Sequence, residues 1–157
     1  MNADIINPFV VAAFDFIEQH QKATADKGKL SLLHSPVNGN DVNVVIGLTG
    51  SIRGQVVYCM STATAQEIAS NMLIGLPIDE LDEIAKSAIG EMGNIITGQA
   101  TCVLASNGLS CSISPPSLVI GKEIQISFKE LSIIAIPICS NFGEITMMLA
   151  VEEADPS

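Results

Sequence analysis

Three polar residues fall at a spacing that could do chemistry: Ser87, Glu91 and Asn94, within SAIGEMGNIITG at 87–98. Residues three and four apart on a helix are surface neighbours, so the three share one stripe with Glu83 and Gly98. An asparagine amide both donates and accepts without titrating, and an ionised glutamate only accepts and suits an ammonium group. Such a pair can orient and dock, and it requires no proton transfer. Gly90, Gly93 and Gly98 interrupt the same helix, each costing about 0.8–1 kcal/mol relative to alanine. Mid-helix glycines mark a close approach or tight internal packing. Gly90 and Gly98 flank the Glu91/Asn94 patch, which favours approach by a partner there. Spacing alone also fits two solvated polar residues, with the glycines serving the protein's own packing.

The element that must position this stripe is a helix predicted over about 79–104. Its core face is read as Leu81, Ala85, Ala88, Met92, Ile95, Ile96, Gln99 and Val103, recurring at steps of three and four. Asp79, Glu80, Asp82 and Glu83 are placed in its first turns, where the helix dipole favours negative charge. Side chains on one turn point around the axis instead of converging, so no metal site is expected there. A first helix is predicted over about 4–21, with Ile5, Ile6, Phe9, Ala13, Phe16 and Ile17 buried and Pro8 at or near its start. A short helix from Ser61 or Thr62 to about Leu73 buries Ala63, Ile68, Met72 and Leu73 and stops at Gly75. Residues 22–29 read as a polar connector. Strands are predicted at 30–33, 42–48, 55–60, 110–113, 118–120, 124–129, 132–138 and 144–151. Turns at 49–51 and 141–143 are short, which implies antiparallel pairing. The expected fold is α+β: one domain over 1–157, a mainly antiparallel sheet with long helices packed on it. Residues 152–157 are read as a frayed acidic tail.

Composition narrows the function classes. The chain has 157 residues, 48% hydrophobic and 15% charged, which excludes disorder. With no Trp, one Tyr and five Phe, the core must be aliphatic. The formal charge is −10 and the seven Lys and Arg are scattered, so nucleic acid and anionic membrane are disfavoured as partners. Arg53, beside a hairpin turn, reads as a solvated residue. Cys59, Cys102, Cys111 and Cys139 form no C-x-x-C and have no histidine at ligand spacing, so all four are expected to be reduced, in a cytoplasmic protein. Cys59, Cys102 and Cys139 lie in apolar runs, where a thiol acts as a small hydrophobe. The opening MNADIINPF lacks a basic region and a cleavage pattern, so no signal peptide is expected. No G-x-S-x-G elbow, P-loop or H-E-x-x-H is present, and His20 and His34 have no recognisable nucleophile partner. The chain does not hold the parts of a self-contained hydrolase.

Ser87-x-x-x-Glu91-x-x-Asn94, with Pro115-Pro116 some twenty residues on, resembles the signature of the CheC/CheX/FliY phosphatase family of bacterial chemotaxis. The single-motif CheX branch is the nearest. INPF at 6–9, VIGLTGSIRGQVVY at 45–58, LDEIAKSAIGEMGNIITG at 81–98 and ISPPSLVIG at 113–121 carry the resemblance in order along the whole chain. Asp15 and Glu18 of the first helix do not match Glu-x-x-Asn, so a second site of the CheC kind is not expected. The resemblance implies a phosphatase for phospho-aspartate on a CheY-like response-regulator receiver. It implies that Asn94 orients the attacking water and that Glu91 docks on the receiver lysine. Ser87, Gly90 and Gly98 become motif support or partner interface, and Pro115-Pro116 a turn near the site. The expected cofactor is none of its own, with Mg²⁺ on the receiver; a homodimer joined at strand edges is also expected. The alternative is a non-catalytic CheX-like binding or dimerisation module for a two-component signalling protein.

Overall fold

The computed structural model describes residues 3–129 and 132–154. Along the chain come α1 (Ala3–His20), β1 (Asp26–Lys27), β2 (Ser31–Leu33), β3 (Val37–Asn38), β4 (Val42–Gly50), β5 (Ile52–Met60), α2 (Thr62–Met72) and α3 (Glu83–Ser106). The second half is all β: β6 (Cys111–Ile113), β7 (Ser117–Ile120), β8 (Gln125–Ile126), β9 (Ile133–Ser140) and β10 (Gly143–Glu153). The expected α+β class is the one observed.

Among the described residues the main sheet runs β1-β9-β10-β5-β4-β6, with β2 also on β9 and β7 also on β4. Every pairing is antiparallel. Side chains alternate between the two faces of a strand, and here both faces are apolar. Val44, Ile46, Val56, Tyr58, Ile136, Met147 and Leu149 point to the helices. Val57, Cys59, Ile133, Ala135, Met148 and Ala150 point the other way, to a smaller core closed by Val37 and Phe128. That second lid is the β3–β8 ribbon. Two-sided burial is why 132–138 and 144–151 read as nearly continuous apolar runs.

One edge of the sheet is split. β1 and β2 both pair with β9, and between them Gly28 N donates to Pro137 O at 2.8 Å. Proline cannot return that bond, so the ladder breaks there. A Cβ on Gly28 would lie 3.0 Å from the Pro137 ring. The connector expected at 22–29 therefore holds a two-residue strand, as does the turn at 34–41.

The helices depart from expectation in register. α3 begins later than predicted because Asp82 is its N-cap, its Oδ1 accepting from Ala85 N at 2.9 Å. Asp79 and Glu80 thus precede the helix, and of the four acids only Glu83 lies in its first turn. The buried face carries Ala85, Ala88, Ile89, Met92, Gly93, Ile96, Thr97, Ala100 and Leu104, while Val103 is 41% exposed. Leu81 lies outside the helix. The face is broad because α1 packs on one flank and the sheet on the other. On α2, Ser61 caps the helix through Thr64 N and Thr64 turns inward beside Ala65, Ile68 and Ala69, which leaves Ala63 exposed. α1 starts at Ala3 with Pro8 inside it, and all six residues expected on its apolar face are buried.

The acidic tail starts later than expected. Glu152 and Glu153 continue β10 opposite Arg53 and Ile52, and Arg53 Nε donates to Glu152 Oε1 at 3.0 Å. Residues 155–157, and Leu131 and Glu130 before β9, lie outside the described residues.

Candidate functional site

α3 is seated on the sheet through Gly93. A Cβ there would stand 2.9 Å from Val44 Cγ1 and 3.1 Å from Ile46 Cδ1, closer than side chains pack, so the glycine lets the helix down onto β4. One turn on, the buried Thr97 and Tyr58 hydroxyls share a hydrogen bond of 2.8 Å. Burial keeps Tyr58 un-ionised, its pKa lying above the ordinary tyrosine range because desolvation outweighs the opposing effect of the Thr97 bond. On the other flank Gln99 Nε2 donates to Asp15 Oδ2 at 2.6 Å, tying α3 to α1. Asp15 thus serves packing between helices.

With its inner side held this way, α3 presents Ser87, Glu91, Asn94 and Gly98 outward. Glu91 and Ser87 are exposed and Asn94 is half-buried. Among the described residues neither Glu91 nor Asn94 has a hydrogen-bond or ion-pair partner within the protein. They line a shallow, open depression with Glu83, Lys86, Ser87, Gly90, Pro116 and Leu118. Lys86 Nζ is 3.5 Å from Glu83 Oε1. Lys86 and Leu118 were not singled out from the sequence. Lys86 could have been, since it lies one turn before Gly90 on the same side of the helix; Leu118 arrives only through strand pairing.

The wall of the depression is the segment after β6. Ser114 N donates to Gly47 O at 2.9 Å, and Gly47 N to Ser114 Oγ at 2.8 Å. β7 then pairs with β4. This places Pro116 over Gly90, where a Cβ would meet Pro116 Cγ at 3.4 Å and Leu118 Cδ1 at 3.5 Å. Gly90 is buried, and the close approach at this glycine is by the protein's own chain. Gly98 is different: nothing lies within 4 Å of a Cβ placed there. No contact inside the fold explains it.

The other residues considered lie elsewhere. His20 stacks on Phe16 with ring centroids 5.2 Å apart. All four cysteines are free thiols. Cys59 is buried and its thiol is pushed up to about 12 by desolvation, which leaves it un-ionised and inert. Cys102 is exposed on α3, contrary to its apolar neighbourhood in sequence, because its side faces away from the sheet and α1. Among the described residues no group of three or more His, Cys, Asp or Glu is placed to hold a metal ion, and no helix is long and apolar enough to cross a membrane.

Residues 42–139 match the sequence model of the family described as chemotaxis phosphatase CheX. The CheY-P phosphatase CheX of Thermotoga maritima is 33% identical over 126 residues, which span 80% of this chain and 81% of that protein. A CheC-like superfamily protein from Shewanella sp. PV-4 superposes with a TM-score of 0.87 at 28% identity, over 97% of this chain and 99% of that one. The CheX of Borrelia burgdorferi, solved in complex with CheY, BeF₃ and Mg²⁺, superposes with a TM-score of 0.79 at 28% identity, over 97% and 100% of the chains. The motif helix, its proline-lined wall and these likenesses agree, and the chain belongs to the chemotaxis phosphatase CheX family.

Proposed function

We propose that this protein hydrolyses the aspartyl phosphate of a CheY-like receiver domain, with Asn94 supplying the amide that orients water and Glu91 the carboxylate that docks the partner. The observation that carries this reading is an outward Glu91/Asn94 pair, its side chains without a partner among the described residues, on a helix locked to the sheet by Gly93 and Thr97. The Thermotoga relative bears the name CheY-P phosphatase, and the Borrelia relative was solved with CheY. In the reaction the water oxygen forms a bond to phosphorus while the phosphorus–aspartyl oxygen bond breaks. The carboxylate and inorganic phosphate leave, and the water's protons pass to phosphate and solvent. Such phosphoryl transfer rests on positioning and charge stabilisation. The receiver supplies its own Mg²⁺ and lysine, so this chain uses no cofactor; Glu91 accepts from that lysine. Ser87 supports the motif from one turn before Glu91. The protein works in the cytoplasm beside its receiver, as a homodimer joined along a sheet edge. The test follows decay of phosphorylated receivers from the same genome. Faster decay with one of them is expected; unchanged decay across the panel would leave only a binding module.

Two glycines on one helix give opposite expectations. Gly93→Ala should destabilise the fold by about 1–3 kcal/mol through overpacking against Val44 and Ile46. Gly98→Ala should stabilise it by up to about 1 kcal/mol, since the helical cost of glycine is removed and no clash is added. Gly98→Leu should fold as well yet lower kcat/KM about tenfold, because a side chain now stands where the receiver surface approaches. Urea unfolding and turnover read the two effects separately. Wild-type turnover in Gly98→Leu would mean that the receiver does not reach this part of α3.

A further inference from the structure

We infer that the receiver's docking surface extends from the Glu91/Asn94 pair to an acid-rimmed apolar shelf formed by Ile84 and Leu76. This inference rests on the phosphatase reading above. Ile84 is 61% exposed and Leu76 52% exposed, and the two share a second depression with Asp79, Glu80 and Asp82. Single exposed aliphatic residues are ordinary; here two lie together in one acid-rimmed depression beside the motif face of α3. Ile84 precedes Glu91 by seven residues, which puts it on the same side of α3 to within about 20° and about 10 Å up the axis. An interface of standard size covers about 800 Å² on each partner, a disc about 16 Å in radius. A receiver docked on Glu91, seven residues or about 10 Å from Ile84 on the same side of the helix, therefore covers Ile84 as well.

Charge selects the occupant. The shelf is bordered by Asp79, Glu80 and Asp82, and the chain as a whole carries −10. At this shelf a second copy docked face to face would set acid against acid, which like-charge repulsion disfavours here though not at a sheet edge elsewhere on the chain. The fitting partner has an apolar contact surface flanked by basic side chains. Since the shelf lies outside the reacting centre, its contacts are the same in ground and transition states and move KM, leaving kcat alone.

The test uses the full chain and a CheY-like receiver from the same genome, loaded with beryllofluoride and Mg²⁺ so that binding is measured without turnover. Ile84→Ser and Leu76→Ser should each raise Kd and KM about tenfold, with kcat at the wild-type value. Ile84→Met, which keeps the apolar area, should bind like wild type. Asp79→Asn with Glu80→Gln should flatten the salt dependence of binding. Wild-type Kd for both serine variants, with unchanged circular dichroism, would overturn the shelf. So would a change in sedimentation of Ile84→Ser with receiver binding unaltered, since that assigns the patch to a second copy. If the wild type binds the receiver but never hastens its decay, the phosphatase reading fails while the Kd comparison still decides the shelf.

Discussion

Asn94→Ala should yield a folded protein that binds the phosphorylated receiver as tightly as wild type and hydrolyses it about 100-fold more slowly, or worse. The fold is spared because the Asn94 side chain is half-exposed and, among the described residues, makes no hydrogen bond. Binding is spared because an amide that holds a water adds little to the contact area. The chemistry is not spared, because no other side chain at hand can replace it. Lys86 donates only, Glu91 when ionised accepts only, and Pro116 and Leu118 do neither. Ser87 both donates and accepts, but it sits two turns away along the axis from Asn94 with a side chain too short to bridge the gap. Asn94→Asp tests the amide itself: the shape is kept, both N–H donors are lost and a negative charge is set beside the phosphoryl oxygens. It should be as poor as alanine. Asn94→Gln keeps the amide but moves it by about one bond length, 1.5 Å, and positioning on that scale is worth about 100-fold. Single-turnover decay at saturating enzyme reads kcat directly. Any of the three variants turning over at the wild-type rate would remove Asn94 from the mechanism.

The reacting patch was legible because it is local. Spacings of three and four on one helix decide which residues are neighbours before anything else folds, so Ser87, Glu91, Asn94 and Gly98 could be grouped and then found facing outward together. The rest of the depression is non-local. Pro116 reaches Gly90 only because β7 pairs with β4 across more than seventy residues. For the same reason the contact of Pro116 and Leu118 with Gly90 was not legible from the helix alone. The inner face of α3 was read too narrow, because two neighbours, α1 and the sheet, also cover Ile89, Gly93, Thr97, Ala100 and Leu104, and it was read one residue off at its end, where Val103 is exposed. β1 and β3 are too short to carry a pattern: the polar pair Asp26–Lys27 becomes a strand only because β9 offers it hydrogen bonds, with Pro137 deciding where that edge breaks, and Val37–Asn38 only because β8 pairs with it. The long apolar strands were legible, and so was the β8 half of the ribbon, within the strand expected at 124–129; the β3 half, expected as part of a turn, was not.

Glu91→Ala should cost about 30- to 5000-fold in kcat/KM, the range for truncating one member of a desolvated charge pair. The carboxylate is exposed in the free protein, where water satisfies it at no cost to stability, so its removal should leave the unfolding transition unmoved to within about 0.5 kcal/mol. In the complex the same carboxylate becomes enclosed. Its partner there, the receiver lysine, would be left buried and unpaired in the variant, and this penalty is what makes the loss large. Part of the loss falls on KM, since docking weakens. Part falls on kcat, since a receiver seated less firmly presents its phosphorus to Asn94 less squarely. That split separates Glu91 from its neighbours: Asn94 variants should move kcat alone, and Ile84 variants KM alone. Glu91→Gln keeps an acceptor oxygen and the side-chain length but loses the charge, so it should fall between wild type and alanine. Glu91→Asp keeps the charge on a shorter stem and should also fall between. Salt gives an independent reading, because the steering part of a charge contact is screened. The wild-type rate constant for association should drop as ionic strength rises, and the Glu91→Gln rate should drop less. Glu91→Ala within threefold of wild type in kcat/KM would show that the carboxylate stays in water when the receiver docks, and the receiver lysine would then need another partner.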